Sequence, residues 1–133
     1  MNDAPEWLVK HIQDARQLLG LGGEEWHFTV KTSEKPGGTD DLDGQINVDS
    51  VYMNANIEII NTLEDGDRSQ EVAYHEVIHA AMEDINRIAY MAIRAMPKGR
   101  RKTVRKFYNE AVERFVTRTS RTLCANLKKD GEL

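Results

Sequence analysis

Tyr74-His75-Glu76-Val77-Ile78-His79-Ala80 carries the pattern H-E-x-x-H. On a helix, a spacing of four places both imidazoles on one face, a turn apart, where they can reach one divalent ion. Glu76 lies one step round from His75, placed to contact a metal-bound water without being a ligand. In that arrangement zinc lowers the pKa of its water and the carboxylate takes the proton. Val77, Ile78, Ala80, Ala81 and Met82 are apolar, as expected of a buried helix behind a cleft. Imidazole and carboxylate donors make Zn2+ the expected metal.

A catalytic zinc takes three protein ligands and keeps one position open. The other two of the four histidines are His11, on the apolar side of an N-terminal helix, and His27, between Trp26 and Phe28 in an expected strand. A lone His in either setting is more often packed or exposed than a ligand, so a carboxylate is the better third donor. Glu110 and Glu113 are the only acids among ten basic residues in 94–122. Glu110 is favoured and Glu113 is next, binding in its place or orienting a histidine from behind. Glu83, one turn beyond His79, ranks low, because three consecutive turns of one helix do not converge readily on one tetrahedral ion.

These elements must position the motif. Asp3, Pro5 and Glu6 suggest an N-cap, an early-turn proline and a capping-box acid. Trp7, Leu8, Ile12, Ala15, Leu18 and Leu19 then form the apolar face of a helix of about 15 residues, ended by Gly20-Leu21-Gly22-Gly23. Trp26–Val30 reads as a strand and 32–44 as a polar loop. Alternating apolar residues between Gln45 and Thr62 give one or two strands with a turn near Asp49-Ser50. Asp41-Leu42-Asp43-Gly44 lacks the end ligands of a calcium loop and reads as a turn. Asp67 with Gln70 resembles a capping box opening one long helix through Ile88, and Pro97 with the basic run Lys98–Lys102 interrupts the pattern. A last helix carries Val104, Tyr108, Ala111, Val112, Phe115, Val116, Thr119 and Leu123, and the tail from Lys128 is expected to fray. The order helix, strands, helix, helix is an α+β arrangement, a small sheet covered on one side by helices.

The chain has 133 residues, 40% hydrophobic and 30% charged, which suits a single domain over 1–133 with an ordinary globular composition. No apolar run approaches a membrane span, and the first residues lack the basic start and apolar run of a signal peptide. Cys124 is the single cysteine. The expectation is a cytoplasmic protein without membrane association. The net charge of -4 is uneven: 1–93 hold 18 acidic and 6 basic residues, against 2 and 10 in 94–122. The basic segment is either a solvated helix face or a surface for nucleic acid or an acidic partner.

His75-Glu76-Val77-Ile78-His79 followed by Asn109-Glu110-Ala111 resembles the gluzincin metallopeptidases, the thermolysin-type zincins, and the layout is similar to minimal phage- and prophage-encoded proteins of that type. The resemblance implies a zincin-like minimal fold: an N-terminal helix, a small mixed sheet, the motif helix and a C-terminal helix bearing the third ligand. It implies that zinc binds His75, His79 and Glu110, that Glu76 is general base, and that the substrate is a peptide or protein. The peptide would lie along an edge strand at Tyr52-Met53-Asn54-Ala55-Asn56-Ile57. Thermolysin-like enzymes carry an acid four residues after the third ligand, where this chain has Arg114 and places its acid one earlier, at Glu113. Tyr52, Tyr90 and Tyr108 are the residues considered for stabilising the oxyanion. The alternative function is a catalytically weak or inactive zinc-binding regulator that contacts nucleic acid or a protein partner through 94–122.

Overall fold

The computed structural model describes residues 3–38 and 42–131. Within them the chain is α+β, with helices α1 (Glu6–Leu18), α2 (Asp67–Ala81), α3 (Glu83–Arg94) and α4 (Lys98–Gly131). Strands β1 (His27–Ser33), β2 (Gly44–Asp49) and β3 (Asn54–Ile60) form a sheet in the order β1-β3-β2. β3 pairs parallel with β1, Val30 opposite Ile57, and antiparallel with β2, Ile46 opposite Ile57. Among the described residues no helix is long and apolar enough to cross a membrane.

Alternation decides which way β3 faces. Ala55, Ile57 and Ile59 turn into the core while their neighbours turn out. Ile57 and Ile59 join Leu8, Ile12 and Ala15 of α1, Val30 of β1, and Ala73, Val77 and Ala80 of α2 in one core cluster. A second cluster joins Ile78 of α2 to Val112 and Val116 of α4, with Tyr108 and Met82 packed beside it. Helix α2 is thus held by α1 and the sheet on one side and by α4 on another, leaving His75 and His79 half-buried between these contacts. Cys124 is buried in the main core, and that burial pushes its thiol up to about 11, leaving it protonated and unreactive near neutrality.

Several local expectations are corrected. Asp3 is not a helix cap. Its N–H donates to the Val30 carbonyl at 2.9 Å and its carbonyl accepts from the Thr32 N–H, while extended Pro5 occupies the N-cap position. The residue before proline avoids helical geometry, so the chain enters along β1 instead. The box that opens α2 lies one residue earlier than expected. The Gly66 N–H donates to Ser69 Oγ at 2.9 Å, and that hydroxyl donates back to the Gly66 carbonyl. The expected long helix is two, broken at Met82, whose N–H is shared between the Ile78 and His79 carbonyls. No glycine or proline marks this break. The difference is tertiary: α2 packs against α1, the sheet and α4, whereas α3 leaves Ile85, Ile88 and Met91 exposed.

The basic run does not separate helices. After Pro97 it forms the first turn of α4, where Arg101 Nε donates to the Met96 carbonyl at 2.8 Å. Nor does the chain fray at Lys128, whose ammonium reaches Asp67 at the start of α2, 3.0 Å away. Residues 39–41, the last of which begins the segment read as a turn, lie outside the described residues, and Gly44, expected in the loop, starts β2.

Ile57 is the central side chain of the central strand and is fully buried. Ile57→Ala should lower the unfolding free energy by about 2–5 kcal/mol. Urea denaturation followed by far-UV circular dichroism checks this, and a loss well under 1 kcal/mol would contradict the packing described.

Candidate metal centre

The two motif histidines and one carboxylate from α4 meet at a point. His75 Nε2 lies 2.8 Å from Glu113 Oε1, His79 Nε2 lies 3.2 Å from Glu113 Oε2, and the two Nε2 atoms are 3.3 Å apart. Their ring planes meet at 65°. His75, His79 and Glu113 are the His/Cys/Asp/Glu group among the described residues that could hold a metal ion. Tetrahedral bonds of about 2.0–2.1 Å put neighbouring donor atoms about 3.3 Å apart, so these separations suit a zinc-sized cation with little adjustment.

The electrostatics favour a free donor at His79. Burial holds its imidazole below the usual value, partly offset by the Glu113 charge, with His75 lowering it further. A depressed imidazole is neutral near pH 7 and keeps its lone pair for a cation. Glu76, only 6% exposed, sits beside the triad under β2. An added side-chain carbon at Gly44 would stand 3.3 Å from Glu76 Cγ and 2.9 Å from Ile59 Cδ1, so glycine lets the strand approach the helix here. Burial, and secondarily the Glu113 carboxylate, push the Glu76 carboxyl up to about 8.

The triad opens into a cleft of about 860 Å³. One wall is β2, from Gly44 to Val48; the floor is α2; Glu83, Asn86 and Tyr90 of α3 and Thr117, Ser120 and Arg121 of α4 complete it. β2 is an edge strand and β3 the central one, so the edge strand over the site is not at Tyr52–Ile57. That stretch is partly an exposed turn and partly β3, which is bonded on both sides. Alternation identified strands there, but it carries no information about their order.

Glu110, expected as third ligand, is outside the triad, and Glu113 occupies that place. The reason is rotational. α4 docks through Val112, Val116, Ser120 and Cys124, a stripe that brings Glu113 round to α2. Glu110 lies about 60° further round and about 4.5 Å back along the axis. His11 instead contacts Asp65 at 2.9 Å, and His27 is exposed at the start of β1. Glu83 lines the cleft, its carboxyl raised by burial, without joining the triad. Of the three tyrosines, Tyr52 projects from the β2–β3 turn at 72% exposure. Tyr108 donates to Asn86 Oδ1 at 2.5 Å from beside the second core cluster. Tyr90 alone of the three lines the cleft, donating to Asn109 Oδ1 at 2.6 Å. Asn109 thus serves to tie α3 to α4. Asn86 and Arg121 are cleft residues that spacing gave no reason to single out, since each is brought there only by the helix packing.

No protein-family model, curated protein or solved structure matches the chain in comparisons with known proteins.

The buried carboxyl makes a pH-dependent cost measurable in chelator-treated protein. Its value rises from the ordinary 4.5 in the unfolded chain to about 8 when folded. Folding is therefore unpenalised below pH 4.5 and loses stability as pH climbs towards 8. Glu76→Gln, which removes the titration, should melt at a temperature higher than the parent by roughly 5 °C or more at pH 8. The gap should close by pH 5. Calorimetry across that range checks it, and a gap independent of pH would contradict the assignment.

Proposed function

We propose that this protein is a zinc-dependent metallopeptidase with a minimal, gluzincin-like, zincin-type site. The observation that carries the reading is the convergence of His75 Nε2, His79 Nε2 and the Glu113 carboxylate within 2.8–3.3 Å, beside buried Glu76 and under an edge strand. Three protein donors and an open side match the ligand number of hydrolytic rather than structural zinc sites. A divalent cation so held supplies Lewis acidity to a carbonyl oxygen and acidifies water.

The chain's own residues divide the remaining work. The β2 edge offers main-chain groups to an extended peptide, so binding does not demand a deep pocket. Above its raised value of about 8, or with a cation at the triad favouring its charged form, Glu76 would accept a proton from the attacking water at its carboxylate and return it to the leaving amine. Asn86, and Tyr90 on turning its hydroxyl away from Asn109, would donate from the α3 side of the cleft to the carbonyl oxygen as it gains charge. The phage-type relationship and a cytoplasmic setting belong to the same proposal, supported by the motif and layout.

A second reading keeps the metal without turnover and uses 94–122 on nucleic acid. Its support is the run Lys98, Arg100, Lys102, Arg105 and Lys106, all exposed along the start of α4. It calls for DNA binding that weakens steeply with salt.

Elemental analysis should find about one zinc per chain, none in His79→Ala, and weakened retention in Glu113→Gln, with affinity lower by about 10-fold or more. Glu110→Gln should keep parental affinity. Loss of zinc in Glu110→Gln but not in Glu113→Gln would reverse the ligand assignment. Glu76→Gln should hold zinc yet lose peptide hydrolysis by about 10²–10⁴-fold. Parental turnover in that variant would remove Glu76 from the mechanism.

A further inference from the structure

Beyond the cleft, α4 carries a second groove of about 670 Å³, lined by helix residues from Glu110 to Thr122. Glu113, Thr117 and Arg121 line both cavities, so the groove adjoins the cleft beside the triad. Arg114, Arg118 and Arg121 lie on it at steps of four and three, on one face of the helix. None of the three makes a hydrogen bond or ion pair among the described residues. The acids in the groove are not paired with them: Glu113 is engaged by both histidines, and Glu110 forms no salt bridge among the described residues.

We infer that Arg114, Arg118 and Arg121 bind an acidic stretch of the polypeptide substrate, adjoining the bond held at the triad. The inference rests on the peptidase reading above and names the substrate class for it. From Arg114 to Arg121 the helix advances about 10 Å, which an extended peptide covers in about three residues. Guanidinium groups receive carboxylates through paired N–H donors, and three on one face favour a run of Asp/Glu over a single acid. A nucleic-acid strand fits this face less well. The residues lining the groove include no aromatic side chain for base stacking.

The test uses the full-length Glu76→Gln protein loaded with zinc, so that binding is read without turnover. Fluorescence anisotropy compares a labelled peptide bearing four consecutive Asp/Glu residues with its Asn/Gln counterpart and with an oligothymidylate of similar length. The acidic peptide should bind roughly tenfold more tightly than the neutral one, weaken with added salt, and lose that advantage in Arg114→Gln/Arg118→Gln/Arg121→Gln. Circular dichroism and zinc content of this triple variant should match the parent. Equal binding of acidic and neutral peptides, or an advantage that survives in the folded triple variant, overturns the inference. So does tighter binding of the oligothymidylate than of the acidic peptide. The peptidase reading fails separately: if the parent cleaves no peptide while the acidic preference holds, the arginine face stands as an acidic-peptide site and turnover does not. Cleavage of neutral and acidic peptides at equal kcat/KM leaves the peptidase standing and removes the arginine face.

Discussion

The packing of Ile78 against Val112 and Val116 is the contact on which the rest of the site depends. It joins the last turn of α2 to the middle of α4, two helices separated in the chain by α3, and so determines which side chains of α4 face the motif. With that contact made, Glu113 falls opposite His75 and His79, and Thr117 and Arg121 follow along the cleft. Shift α4 by one residue and the carboxylate turns about 100° away from the imidazoles. An apolar contact of three side chains therefore sets the geometry of the polar site beside it.

The same packing explains how a small domain can hold a buried carboxyl. α2 meets α1 and the sheet through Ala73, Val77 and Ala80, small residues that let the elements come close. Gly44 permits β2 to descend onto Glu76. The closeness removes water from around that carboxyl and raises its pKa, a cost in stability that an apolar residue there would not incur. A buried carboxyl with a raised pKa marks a candidate functional position. The tyrosine–asparagine pairs, Tyr90 with Asn109 and Tyr108 with Asn86, cross-link α3 and α4 and steady the open side of the cleft.

The molecule is also divided electrostatically. The acidic part builds the sheet and the motif helix, and the basic part is almost wholly α4. Their boundary runs through the cleft, where Glu71, Glu76 and Glu83 face Thr117 and Arg121. A field of this kind orients a charged substrate before contact and contributes to encounter rate more than to final affinity.

Much was legible in the residues themselves. The period of four between His75 and His79 guaranteed a shared helical face, because helix geometry is local. Alternation in 45–60 announced strands, and the apolar spacing of 104–123 announced α4 for the same reason. Glu113 was visible as one of two acids in a basic segment, but not as the one that reaches the imidazoles. That choice is a matter of how α4 rotates about its axis when Val112 and Val116 bury themselves on Ile78, and rotation is decided by a surface that lies elsewhere in the chain. Strand order is of the same kind: nothing local distinguishes β2, at the sheet's edge over the site, from β3 at its centre. The break at Met82 and the docking of Lys128 on Asp67 likewise follow from neighbours remote in sequence. Local periodicity determined most of the elements and placed two side chains of the candidate site on one face; the third side chain, the cleft wall and the arginine face were decided only when distant apolar surfaces packed together.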